Sequence, residues 1–166
     1  MNWANQFKNR IDDFENHFGD ENGISISIKI RVESGCFHRE HSPKAYEIID
    51  KVLKTFDSVK EKAVLVEHES GPEILVYLSL VGGFISLSAS IINIITAIIN
   101  ARRKGSEYGD RASSNITLIV RNFNKKGEIK EEKIISIDHM DELDHKVVKG
   151  LLDKGLKNLL EKSKRE

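Results

Sequence analysis

Trp3, Phe7, Ile11, Phe14 and Phe18 recur at spacings of three and four, which places them on one helical face with Asp12, Asp13 and Glu15 off it. The pattern predicts an amphipathic, aromatic helix over residues 1–18. After the turn residues Gly19 to Gly23 the period changes to two: Ile24, Ile26, Ile28, Ile30 and Val32 alternate with Ser25, Ser27, Lys29, Arg31 and Glu33. Such alternation predicts a strand with its β-branched residues toward a core. Ser42-Pro43 opens a second helix, since proline is tolerated in a first turn, and Ile48, Ile49, Val52, Leu53, Phe56 and Val59 are its expected buried face. Ala63 to Glu67 then reads as a second strand, and the strand-helix-strand order predicts a right-handed parallel crossover.

The next segment is the most apolar in the chain. Ser70 and Glu73 have the spacing of a capping box, Pro72 falls in a first turn, and Arg102, Arg103 and Lys104 before Gly105 suit the negative end of a helix dipole. These signals predict one long helix from Glu73 to Asn100, with no charged side chain between Ile74 and Ala101 and a place to bend at Gly82-Gly83. Beyond a polar loop, Ile116 to Phe123 and Glu128 to Ile137 predict a hairpin around Asn124-Lys125-Lys126-Gly127. Met140 to Leu160 predicts the last helix, with Leu143, Val147, Leu151, Leu156 and Leu159 facing inward and residues 161–166 fraying.

Together these elements predict an α+β fold: a four-stranded mixed sheet with helices in the order α-β-α-β-α-β-β-α, the third helix long and apolar. The domain is expected over residues 24–160, preceded by the aromatic helix, and a chain of 166 residues fits one such domain. The charge-free segment admits two readings. It exceeds the roughly 20 residues that cross a bilayer and carries positive charge at one flank. Yet a crossing there would separate the strands into two pairs, and two-stranded fragments are marginal alone. Burial inside the fold is the preferred reading, with a single-pass anchor at residues 74–101 as the alternative.

Charge narrows the function. Lys plus Arg balances Asp plus Glu at 26 each, so no global field favours nucleic acid, and none is expected as a partner. A single cysteine, Cys36, and a polar first ten residues lacking a signal-peptide pattern suit a cytoplasmic address, with membrane association as the alternative. Cys36, His38 and His41 are zinc-ligand residue types, but their spacing matches no standard motif and a polar loop accounts for them. The carboxylates and imidazoles from Asp138 to His145 suit a helix start. Arg10 and His17 have the Arg-x6-His spacing of certain helical ribonucleases, which are all-helical, unlike this chain. Phosphate-loop, nucleophile-elbow and zinc-protease motifs are missing, so neither catalytic residues nor a cofactor are assigned.

The remaining candidates are interaction residues. Trp3, Phe7, Phe14 and Phe18 either cover the strand core or form a docking helix for a partner's groove. Ser79, Gly83, Ser86, Ser90, Asn93, Ala97 and Asn100 form a stripe of mostly small residues along the long predicted helix, with Gly83, Ser86 and Ser90 its centre.

The order strand, helix, strand, Gly71-Pro72 into a strongly apolar helix, an Arg102-Arg103 end, then the hairpin Ile116 to Ile137 resembles the effector-associated constant component family of bacterial conflict systems. The likeness covers about residues 24–137 and rests on element order alone. It implies a non-catalytic module that accompanies or couples to an effector through protein contacts, and it carries over no functional residues. The expectation is thus an interaction or adaptor module with a protein partner or a homo-oligomeric state.

Overall fold

The first strand of the chain lies at the centre of the sheet. In the computed structural model, which describes residues 2–19, 23–33, 39–67, 73–81, 87–110, 115–123, 126–138 and 141–165, the order is α1 (Trp3–Phe18), β1 (Gly23–Val32), α2 (Pro43–Leu53), α3 (Ser58–Glu61), β2 (Ala63–Glu67), β3 (Glu73–Val81), α4 (Ala89–Glu107), β4 (Ile116–Phe123), β5 (Ile129–Ile137) and α5 (His145–Arg165). The strands form one five-stranded sheet, β2-β3-β1-β4-β5, antiparallel at every junction. Ile28 faces Val76 on one side and Val120 on the other.

The alternation in β1 sorts its two faces. Ile26, Ile28, Ile30 and Val32 are buried in the main core with Tyr46 and Ile49 of α2, Ile91, Ile95 and Ile98 of α4, and Leu152, Leu156 and Leu159 of α5. Each such side chain contributes about 1.5–3 kcal/mol by leaving water. The opposite face carries a second, smaller core, where Phe7, Ile11 and Phe14 of α1 pack on Tyr77 of β3. The sheet is therefore covered by helices on one face and by α1 over part of the other.

Three expectations need correction. The sheet has five strands, not four, and is antiparallel, not mixed: β3 lies between β1 and β2, so the predicted parallel crossover does not exist. The predicted helix from Glu73 to Asn100 is a strand followed by a separate helix. The physical cause is two-sided burial: Ile74, Val76 and Leu78 enter the main core while Tyr77 lies under α1, so this part of the strand shows no polar alternation. The helix begins where Ser88 Oγ accepts a hydrogen bond from Ile91 N at 3.2 Å, and runs through the basic residues to Glu107. The continuous apolar helix behind the anchor reading is thus lost, and among the described residues no helix is long and apolar enough to cross a membrane. Gly82-Gly83 lies outside the described residues.

Two helix faces also shift. Val59, expected inside, is 74% exposed on α3, because α2 stops at Leu53. Val147 is exposed and Leu143 precedes α5 instead of lying on it. Asn100 holds Leu143 there, donating through Nδ2 to its carbonyl at 2.7 Å and accepting from its N–H at 3.0 Å. Asp144 Oδ1 accepts from Val147 N at 2.9 Å, and α5 continues to Arg165 through the stretch expected to fray.

Candidate interaction site

α1 is built to lie on the sheet. Asn2 accepts from Ala4 N at 3.1 Å and caps the helix, and the spacing of Phe7, Ile11 and Phe14 turns all three inward. Phe7 is fully buried. It stacks on Phe123 at 4.9 Å between ring centroids, and the guanidinium of Arg121 lies 4.0 Å from its ring centre. Arg121 is itself buried and donates through Nε to Ser27 Oγ at 3.0 Å. A cation above an aromatic face out of water is a favourable electrostatic contact, so the polar face of β1 is closed beneath the first half of α1.

The second half of α1 leaves a gap. A half-open cavity of about 330 Å³ lies between α1 and the β2–β3 edge, floored by Phe14, Phe18, Val64, Val66 and Tyr77. Arg10, Asp13 and His17 stand at its mouth. His17 Nδ1 lies 2.8 Å from the Asp13 carbonyl. That oxygen can only accept, so Nδ1 is the donor in this contact. Apolar walls with a few polar groups at the rim are the general form of a binding cavity.

Beside the cavity, β2 is the last strand of the sheet. No backbone hydrogen bond joins its outer side to any other described residue. Its end is braced from the opposite face. Arg39 donates to both Asp50 oxygens at 2.7 and 2.9 Å and to Glu67 Oε1 at 2.6 Å, and its guanidinium lies 4.8 Å from the Tyr46 ring centre. The two carboxylates raise the Arg39 pKa, and the Arg39 hydrogen bonds hold the Asp50 carboxyl below its usual range.

The sequence candidates divide accordingly. Phe14 and Phe18 line the cavity, Phe7 is committed to the α1–sheet contact, and the Trp3 side chain is not among those described. Of the small-residue stripe, Ser90, Asn93 and Ala97 line a shallow depression with Val52, Thr55 and Ile94, while Gly83 and Ser86 lie outside the described residues. Cys36 and His38 also lie outside them, and His41 is exposed in the turn before α2. Among the described residues no group of three or more His, Cys, Asp or Glu could hold a metal ion. Arg10 and His17 share one cavity mouth, but Asp13 stands with them and the floor is apolar, which suits a phosphate chain poorly. Sequence reasoning missed Val64, Val66 and Tyr77 as lining. The available signal was that Ala63 to Val66 is apolar on both faces, as in a strand between two layers. No family profile, curated protein or solved structure matches this chain.

Proposed function

We propose that this chain is a protein-interaction or adaptor module whose contact site is the cleft between α1 and the β2 edge. The observation that carries the reading is the apolar cavity lined by Phe14, Phe18, Val64 and Val66 beside an edge strand whose outer side is unpaired among the described residues. Strand edges bind through main-chain hydrogen bonds, and an adjoining pocket supplies side-chain selectivity. Coupling to a bacterial defence effector is the context we propose from the element order of residues 24–137; the strand over Glu73–Val81 removes one element from that likeness.

The test compares proteins captured from native cells by the wild-type chain and by Phe18→Asp, with far-UV circular dichroism confirming an unchanged fold. The wild type should hold specific proteins that the variant loses. Identical captured sets would overturn the reading, and so would a turnover activity that depends on Arg10 and His17.

A further inference from the structure

The two edges of the sheet are unlike each other. β5 carries Lys130, Glu131, Glu132 and Lys133 in succession, and its pairing with β4 shifts register between Leu118 and Ile119, which leaves Ile134 without an opposite residue. Charge and irregularity are the usual ways of blunting an edge. β2, Ala-Val-Leu-Val-Glu, has neither proline nor lysine. Its single charge, Glu67, is already bound by Arg39 of the same chain.

We infer that two copies of this chain join edge to edge through β2, antiparallel about Leu65. This deepens the interaction reading of the α1–β2 cleft and rests on it. A two-fold axis at Leu65 sets Val64 opposite the partner's Val66 and Ala63 opposite the partner's Glu67. β-Branched residues then pair across the junction, and no like charges meet. A strand added here must be apolar on both faces, because Leu65 packs against the main core while Val64 and Val66 face the cavity. β2 meets that requirement itself, and a self-complementary patch closes into a two-fold dimer, the commonest oligomeric form.

A two-fold axis perpendicular to the sheet keeps each face on its own side. Both α1 helices therefore lie on one face of a continuous ten-stranded sheet, and the Val64 and Val66 walls of the two cavities stand side by side at the junction. The two merge into one groove floored by four valines, so each copy completes the other's site.

The test uses the full chain with Cys36→Ser as background. Leu65→Cys should form an intermolecular disulfide under mild oxidant, because residues directly opposite in an antiparallel pair have Cα atoms about 4.5–5.5 Å apart, within disulfide range. Ile24→Cys, exposed but on β1, should not. Light scattering coupled to size exclusion should show a dimer, weakened by about tenfold or more in Val66→Lys. A monomer at all concentrations with no Leu65→Cys cross-link overturns the proposal. So does a dimer that Val66→Lys leaves unchanged and that cross-links equally through Ile24→Cys. A monomer that still loses captured proteins on Phe18→Asp would overturn only the self-association and leave the adaptor reading standing. Should Val66→Lys fail to fold, the Leu65→Cys cross-link decides alone.

Discussion

Asp110 caps a helix that begins almost seventy residues before it: its carboxylate accepts from Ala45 N at 2.8 Å and from Lys44 N at 3.2 Å, at the start of α2. Ser42 occupies the N-cap position, yet its side chain makes no capping hydrogen bond. The anion comes instead from the turn after α4, where Asp110 N donates to the Gly105 carbonyl at 3.0 Å. Gly105 leaves the space for this. A Cβ there would fall 2.3 Å from Asp110 Oδ2 and 2.8 Å from Ala45 N.

Asp110→Ala is expected to destabilise the protein by about 1–2 kcal/mol, the cost of a lost N-cap together with its charge at the dipole's positive end. Asp110→Asn should recover part of that. Gly105→Ala is expected to cost more than Asp110→Ala, because backbone atoms of α2 must retreat. Urea denaturation of the three variants measures all of this as a shift of midpoint at constant slope.

Two glycines of α5 should respond in opposite directions to the same substitution. Gly150 is exposed and a Cβ there meets nothing within 4 Å, so Gly150→Ala should stabilise by about 0.5–1 kcal/mol through helix propensity. At Gly155 the added carbon would lie 2.5 Å from Ile134 Cγ1. Ile134 is the extra residue of the β5 irregularity, so Gly155→Ala should destabilise by about 1–3 kcal/mol. Thermal melts of the pair check the signs.

Glu33 joins the ends of three strands. It accepts from Ser136 Oγ at 2.5 Å and from Thr117 Oγ1 at 2.6 Å, and these donors, with Lys133 and Arg31 nearby, hold its carboxyl below the usual range against a smaller desolvation effect. A carboxyl whose pKa is depressed on folding contributes stability at pH values above its unfolded pKa and loses it as pH falls through the folded value. Asp50, held down by Arg39, has the same sign. Stability should therefore decline below about pH 4, and Glu33→Gln should flatten that decline while lowering stability at neutral pH. Denaturation midpoints from pH 7 to pH 3 provide the check.

Phe7→Ala removes the ring between Arg121, Phe123 and Tyr77, at a cost of about 3–5 kcal/mol for a fully buried aromatic. Because the second core is separate from the main one, the loss should be local. Hydrogen exchange should rise throughout α1, while β1 and β4 retain most of their protection.

How much of this was legible beforehand follows from how local each cause is. β1, α1 and the β4–β5 hairpin declare themselves because one face of each is polar, or because a glycine turn joins two runs. β3 does not: between Ile74 and Leu78 both faces are covered, and an apolar run without alternation has no period to read. Gly71-Pro72 and Glu73 then imitate a helix start that the sheet overrides. Of the site, Phe14 and Phe18 could be read from helical spacing, whereas Arg10 and His17 acquire a shared cavity only once α1 has docked. Asp110 as a cap had no sequence signal, since its partners lie 65 and 66 positions away.

The central place of β1 also sets when the molecule can mature. Its neighbours, β3 and β4, are made some fifty and ninety residues later, as the pairing of Ile28 with Val76 and Val120 shows. At about 5–20 residues per second the ribosome releases that isoleucine-rich strand several seconds before both its flanks are filled. A nascent chain halted before residue 116 should thus resist compaction and engage holding chaperones, and release should trigger collapse only once β4 has emerged.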